Sequence, residues 1–165
     1  MKNSIIRFSE TGVLKPLMKK YLSHDIALTE FIRDFPSEKA FEKQIEIRRK
    51  EPVNRKLLIN VLRKQYQGIV ISEKTKGHIE SLKSENTFTV ITGHQPCLFT
   101  GPLYVVIKIL NTIKLAARLK GLYPESDFVP VYWMGAEDHD FEEVNHFRLF
   151  QKTLSWNSRS EERRV

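Results

Sequence analysis

Phe88-Thr-Val-Ile-Thr-Gly-His-Gln-Pro96 passes from apolar and β-branched residues into a polar turn, and Phe128-Val-Pro-Val-Tyr-Trp-Met-Gly-Ala136 passes likewise into Glu137-Asp138-His139-Asp140. Short apolar runs rich in Val, Ile, Phe, Tyr and Trp read as strands buried on both faces. Between them, from Pro102 onward, Leu103, Val106, Ile107, Leu110, Ile113 and Ala117 recur at the spacing of one helical face. Lys108, Asn111, Lys114 and Arg118 occupy the others, so the segment predicts a helix. Thr100 or Gly101 suits its cap, Pro102 its first position, and Gly121 the left-handed residue after its last turn. Strand, helix, strand predicts a parallel pair and an α/β fold. Such a crossover brings both carboxyl ends to one edge, where open α/β sheets bind ligands. Both polar clusters fall on that edge.

Working outward, residues 1–85 read as a helical N-terminal segment punctuated by Pro16, Pro36, Pro52 and Gly68. Ser37 to Lys50 predicts a charged helix with Phe41, Ile45 and Ile47 or Arg48 inward. Val53 to Tyr66 predicts a second, with a Leu57, Leu58, Val61, Leu62 stripe and Gly68 as its stop. A third helix spans about 72–83, and Ser84-Glu-Asn86 turns into the first strand. Residues 86–150 read as the first part, strand–helix–strand, of an α/β core. His146-Phe-Arg-Leu-Phe150 and Thr153-Leu-Ser-Trp156 suggest a short hairpin. Residues 151–165 read as an aberrant tail, truncated or frameshifted near Trp156, because Asn157 to Val165 has no apolar periodicity.

Composition narrows the function classes. The formal net charge is +7, yet the basic residues between Lys39 and Lys83 alternate with glutamates as on solvated helix faces. No aromatic-basic interleaving or RNA-binding signature accompanies them, so nucleic acid is not an expected partner. A single cysteine excludes an internal disulfide framework and suits a reducing cytoplasm. No run is long and apolar enough for a signal peptide or membrane span.

The chemistry-bearing residues lie at the two strand ends. Gly93, His94 and Gln95 lead toward a helix N-terminus, where close backbone approach, free N–H groups and the positive helix end favour an anion. A plain strand-to-helix turn explains the same residues equally well. The Gly-rich fingerprints of dinucleotide and P-loop sites are both absent. Glu137, Asp138, His139 and Asp140 place three carboxylates and an imidazole together. Asp138 and Asp140 suit the start of a helix over Phe141 to Val144, but four ionisable groups exceed what a cap needs. A general-base or amine-binding role ranks first, since crowded like charges shift one another's pKa and histidine titrates near neutrality. Metal binding ranks lower because no ligand spacing such as His-x-x-x-His occurs. Cys97 reads as a small, half-buried residue rather than a nucleophile, with no base evident beside it. Tyr132 and Trp133 read as core and rim packing, and His24, His78 and His146 as surface residues.

Thr92-Gly-His-Gln-Pro96, Thr100-Gly-Pro-Leu-Tyr104, Lys108-Ile-Leu-Asn-Thr-Ile-Lys-Leu-Ala116 and Val129 through Asn145 together resemble the bacillithiol biosynthesis cysteine-adding enzymes over about residues 1–150. The resemblance implies a Rossmann-like core related to class I aminoacyl-tRNA synthetases and, in the longer family members, a helical coiled coil that mediates homodimerisation and is absent here. It implies a ligase that attaches cysteine by an amide bond to the amino group of glucosaminyl-malate, completing a low-molecular-weight thiol. Gly93, His94 and Gln95 then occupy the place of the synthetase signature facing nucleotide phosphates, so ATP or ADP is the candidate nucleotide and no metal is expected. Asp138 and His139 become the candidate catalytic pair, with Glu137 and Asp140 beside them in substrate binding. A stand-alone anion- or nucleotide-binding module, or half of a split enzyme, is the alternative. The fragment alone is expected to be inactive.

Overall fold

The computed structural model describes residues 6–137 and 141–156. Two compact units divide at Pro52 and Val53. In the first, α1 (Pro16–Leu22) precedes α2 (Glu38–Arg49). Ser37 caps α2 by accepting the Ala40 N–H at 3.1 Å, which fixes the helix start where the sequence predicts it. Ala40 and Ile45 are its buried residues, while Arg48 is exposed.

The second unit contains the sheet. Asn54 caps α3 (Arg55–Gln65) and Ser72 caps α4 (Glu73–Ser81). Gly68, at φ +79°, turns the chain after α3. The Ser84–Asn86 turn forms as expected, with the Thr87 N–H donating to Ser84 O at 3.2 Å. β1 (Thr87–His94) and β2 (Asp127–Met134) pair in parallel, Phe88 opposite Phe128 and His94 opposite Met134. The connecting α5 (Leu103–Leu122) packs on both strands. After α6 (Phe141–Val144), β3 (His146–Leu149) and β4 (Lys152–Ser155) form the antiparallel hairpin expected from the sequence. The expected aberrant tail lies, from Asn157 onward, outside the described residues. Among the described residues no helix is long and apolar enough to cross a membrane.

The core is small and sits between β2 and the α3–α4 pair: Ile59, Ile79, Leu82 and Val129, with Leu62, Ile71 and Val131 against them. The α3 guanidinium of Arg55 ties this layer together, donating to Leu82 O at 2.9 Å and Thr87 O at 3.2 Å. At the same end of the strands, where Thr87 pairs with Asp127, Lys120 Nζ holds the α5–β2 connection through Pro124 O (2.8 Å), Ser126 O (3.1 Å) and Asp127 Oδ1 (2.8 Å).

Four expectations need correction. Ile59 rather than Leu57 or Val61 is the inward residue of α3, and the latter two are exposed, because α4 and β2 lie against the side that carries Ile59 and Leu62. On α5 the buried residues are Val105, Thr112, Ala116 and Leu119, while Leu103, Ile107 and Leu110 stay exposed. This helix is apolar on two sides, and a two-stranded sheet covers one. Gly121 lies inside α5 with ordinary helical φ, and Tyr123 is the cap residue. The strands are not buried on both faces: Val131 packs against the core, but its register partner Ile91 is 61% exposed, because α3 and α4 cover the β2 half only.

Candidate functional site

Parallel register places Gly93 beside Trp133 and His94 beside Met134, so the two polar turns leave the sheet side by side. They are joined directly: the Gly135 N–H donates to His94 O at 3.1 Å, and the Tyr132 hydroxyl donates to the same oxygen at 3.3 Å. Gly93 is required by the closeness of the strands. A Cβ there would lie 2.8 Å from Trp133 O.

After Pro96 the chain reaches α5 through Phe99, Thr100 and Gly101, all with left-handed φ (+49°, +71° and +65°). This reversal folds Gly101 back onto Cys97, where an added Cβ would fall 2.6 Å from the Cys97 Cβ and 2.9 Å from Sγ. Glycine at 101 therefore serves both φ and contact. Pro102 precedes the helix and supplies no side-chain cap, which leaves the first turn of a 20-residue helix without a side-chain acceptor from that position.

His94 is the centre of the turn. Its Nδ1 lies 3.0 Å from Gln95 O and 3.2 Å from Cys97 Sγ, and its Nε2 lies 2.5 Å from the Tyr104 hydroxyl. A carbonyl only accepts, so Nδ1 carries the proton and Nε2 accepts from Tyr104. The imidazole thus offers an N–H toward the sulfur while the phenol, packed edge-on at 5.3 Å between centroids, fixes the ring. Lys108, one turn beyond Tyr104, donates to Gly93 O at 2.6 Å. Tyr132 is held above the usual tyrosine range by burial first and by the nearby Cys97 second.

Gly93, His94 and Gln95 therefore share one turn, and Cys97 joins them. The contact of Cys97 with the imidazole was not anticipated, but Nδ1 holds the proton and the thiol donates to Gln95 O at 3.3 Å, so it supplies no base to the thiol. The signal was available as a histidine three residues before a cysteine in a turn, but the left-handed run that closes it is not visible in residue types. Glu137 is exposed at the end of β2, and Asp138, His139 and Asp140 lie outside the described residues. Trp133 is 62% exposed, so it is not a core residue. His24 and His146 are exposed as expected, whereas His78 is half-buried in a cleft of about 280 Å³ lined also by Lys74, Thr92, Ile113 and Tyr132. Burial and then the Lys74 charge hold the His78 pKa below its ordinary value.

Comparison with known proteins places the chain in a family. The family described as bacillithiol biosynthesis BshC, N-terminal Rossmann-like domain, matches residues 1–165. A relative from Christiangramia forsetii is 48% identical over 160 residues, covering 96% of this chain and 30% of the relative. Relatives from Flavobacterium psychrophilum and Flavobacterium johnsoniae are 47% and 46% identical, each covering 97% of this chain and 31% of the relative. All three carry the provisional name cysteine ligase BshC. The chain spans about three tenths of the length of these curated relatives. Its parallel strand–helix–strand unit is the Rossmann-like element that the match describes, and the chain belongs to the BshC family of bacillithiol biosynthesis.

Proposed function

We propose that this chain supplies the first part of the catalytic core of a ligase that joins the carboxyl group of cysteine to the amino group of glucosaminyl-malate, the last step of bacillithiol synthesis in the cytoplasm. The observation that carries the reading is the junction of the two strand ends through His94 O, which sets the Gly93-His94-Gln95 turn next to the segment beginning at Glu137. In this reading the N-terminus of α5 receives an anionic group, a carboxylate or the phosphates of ATP or ADP, with Gly93 giving close backbone approach. The uncapped first turn of α5 and the half-buried Gln95 fit such a group. Asp138 and His139 orient the acceptor amine and take its proton as the amide forms, and Glu137 and Asp140 bind the amine beside them. The chain alone does not turn over, since it spans about 30% of its relatives.

The test uses the enzyme at the length of its relatives. Asp138→Ala or His139→Ala is expected to abolish thiol formation from cysteine and glucosaminyl-malate, and an unchanged rate refutes the assignment. The uncapped α5 terminus also suits an anion-binding half of a split enzyme. Restoration of thiol synthesis by a separately expressed remainder would favour that arrangement.

A further inference from the structure

Among the described residues, β2 pairs along one edge only, with β1. The Asp127 N–H donates to Asn86 O at 2.9 Å and the Gly135 N–H to His94 O at 3.1 Å. Backbone groups alternate along a strand, so Val129 and Val131 also turn toward β1, while Phe128, Pro130 and Tyr132 turn the other way. Proline at 130 has no N–H to lose there, which is where a strand tolerates it. Two helices wall this edge. A groove of two connected clefts, about 280 and about 300 Å³, runs along it, and both clefts touch Lys74 and His78 of α4, Ile113 of α5 and Pro130 of β2. Together they follow β2 from Asp127 to Tyr132, about 17 Å of chain, the length of an ordinary strand. On the α4 wall, an added Cβ at Gly77 would meet nothing within 4 Å.

We propose that this groove seats an extended polypeptide segment, which adds to β2 as a further strand and carries an acidic side chain over Lys74 and His78. The Phe128 and Tyr132 N–H groups are its donors, and the carbonyls of Phe128, Pro130 and Tyr132 its acceptors. The segment comes from the part of the family's chain outside the match, which covers only 30% of the Christiangramia forsetii relative. A second copy of this chain is the poorer occupant, since its β2 would bring its own α4 and α5 against the same walls. Charge favours an acid. No ion pair holds Lys74 among the described residues, and its charge adds to burial in keeping His78 neutral, whereas Lys120 at the far end is already paired with Asp127.

The test is amide hydrogen exchange, residue by residue, in the 165-residue chain and in the enzyme at the length of its relatives. In the longer enzyme Phe128 and Tyr132 should exchange at least about tenfold more slowly than in the short chain, with Val129 and Val131, bonded to β1 in both, as internal references. Fast exchange at Phe128 and Tyr132 beside slow exchange at Val129 and Val131 in the longer enzyme overturns the proposal. Protection in the short chain that rises with its concentration assigns the edge to a second copy and overturns it too. Lys74→Glu in the longer enzyme should speed exchange at Phe128 and Tyr132 about fivefold, the scale of one surface ion pair, and unchanged exchange there refutes the acidic occupant. No turnover is read, so failure of the ligase reading leaves this test standing.

Discussion

Replacing Gly101 with alanine tests whether the reversal before α5 is held by backbone conformation, by contact with Cys97, or by both. At φ +65° a residue with a Cβ costs about 1–2 kcal/mol, of which about 0.4–1 kcal/mol is offset by the stiffer unfolded chain. The new Cβ would also fall 2.6 Å from the Cys97 Cβ and 2.9 Å from Sγ, an overlap of the kind that costs about 1–3 kcal/mol. The expected loss is therefore about 2–4 kcal/mol. Cys97→Ala would not relieve it, because the closer of the two atoms is the Cβ itself. Cys97→Gly removes both atoms, so in that background Gly101→Ala should cost only its backbone share, about 1 kcal/mol. The assay is urea unfolding of the parent, the two single variants and the double variant, with equal slopes required before midpoints are compared. Effects that add within about 0.5 kcal/mol would refute the contact, because distant independent sites behave that way.

Ile59→Ala, at 2% exposure the best-buried member of the core, should cost about 2–5 kcal/mol in the same assay; a loss under about 1 kcal/mol would mean that α3 does not pack as described. His78 has a folded-state pKa below its ordinary 6.5, so the folded chain binds fewer protons than the unfolded one near and below that pH. Stability should be full above about pH 6.5 and fall as the pH drops through the lower folded value, and His78→Gln should flatten the urea midpoint across that window. Lys108→Met keeps the aliphatic stem but removes the donor to Gly93 O; the Gly135 amide, bonded to His94 O, should then exchange about tenfold faster, the equivalent of about 1.4 kcal/mol, and unchanged exchange would show that Lys108 does not hold the strand end.

What the sequence made legible follows from how local each determinant is. Ser37 and Ser72 cap their helices through bonds to residues three positions on, and Gly68 takes its left-handed φ in the turn it was expected to make. The parallel pair follows from two apolar runs and a helix long enough to cross between them. The inward faces of α3 and α5 were misread because both helices are apolar over more than one stripe, so the choice of face depends on what lies opposite. The Cys97–His94 contact was missed for a different reason. It requires Phe99, Thr100 and Gly101 to be left-handed together, and two of these three are residue types that ordinarily avoid that region.

The site's geometry descends from one face of one helix. Gly101 touches Cys97, Tyr104 holds His94 Nε2, and Lys108 holds Gly93 O. Tyr104 and Lys108 are four residues apart on α5, the spacing that stacks side chains along a single helical stripe, and Gly101 lies in the reversal just before the helix. Val105, 5% exposed, anchors the same turn of α5 in the structure. The turn after β1 is thus fixed by α5 through a phenol–imidazole hydrogen bond and a charged donor to a carbonyl, and within itself by the close approach of Gly101 to Cys97. The segment after β2 reaches the same turn through Gly135 and Tyr132, both of which bond to His94 O. His94 is tied to both arms, its backbone by the β2 segment and its ring by α5. A substitution anywhere along that stripe should therefore be felt first in the orientation of the His94 ring, before it is felt in the pairing of the strands.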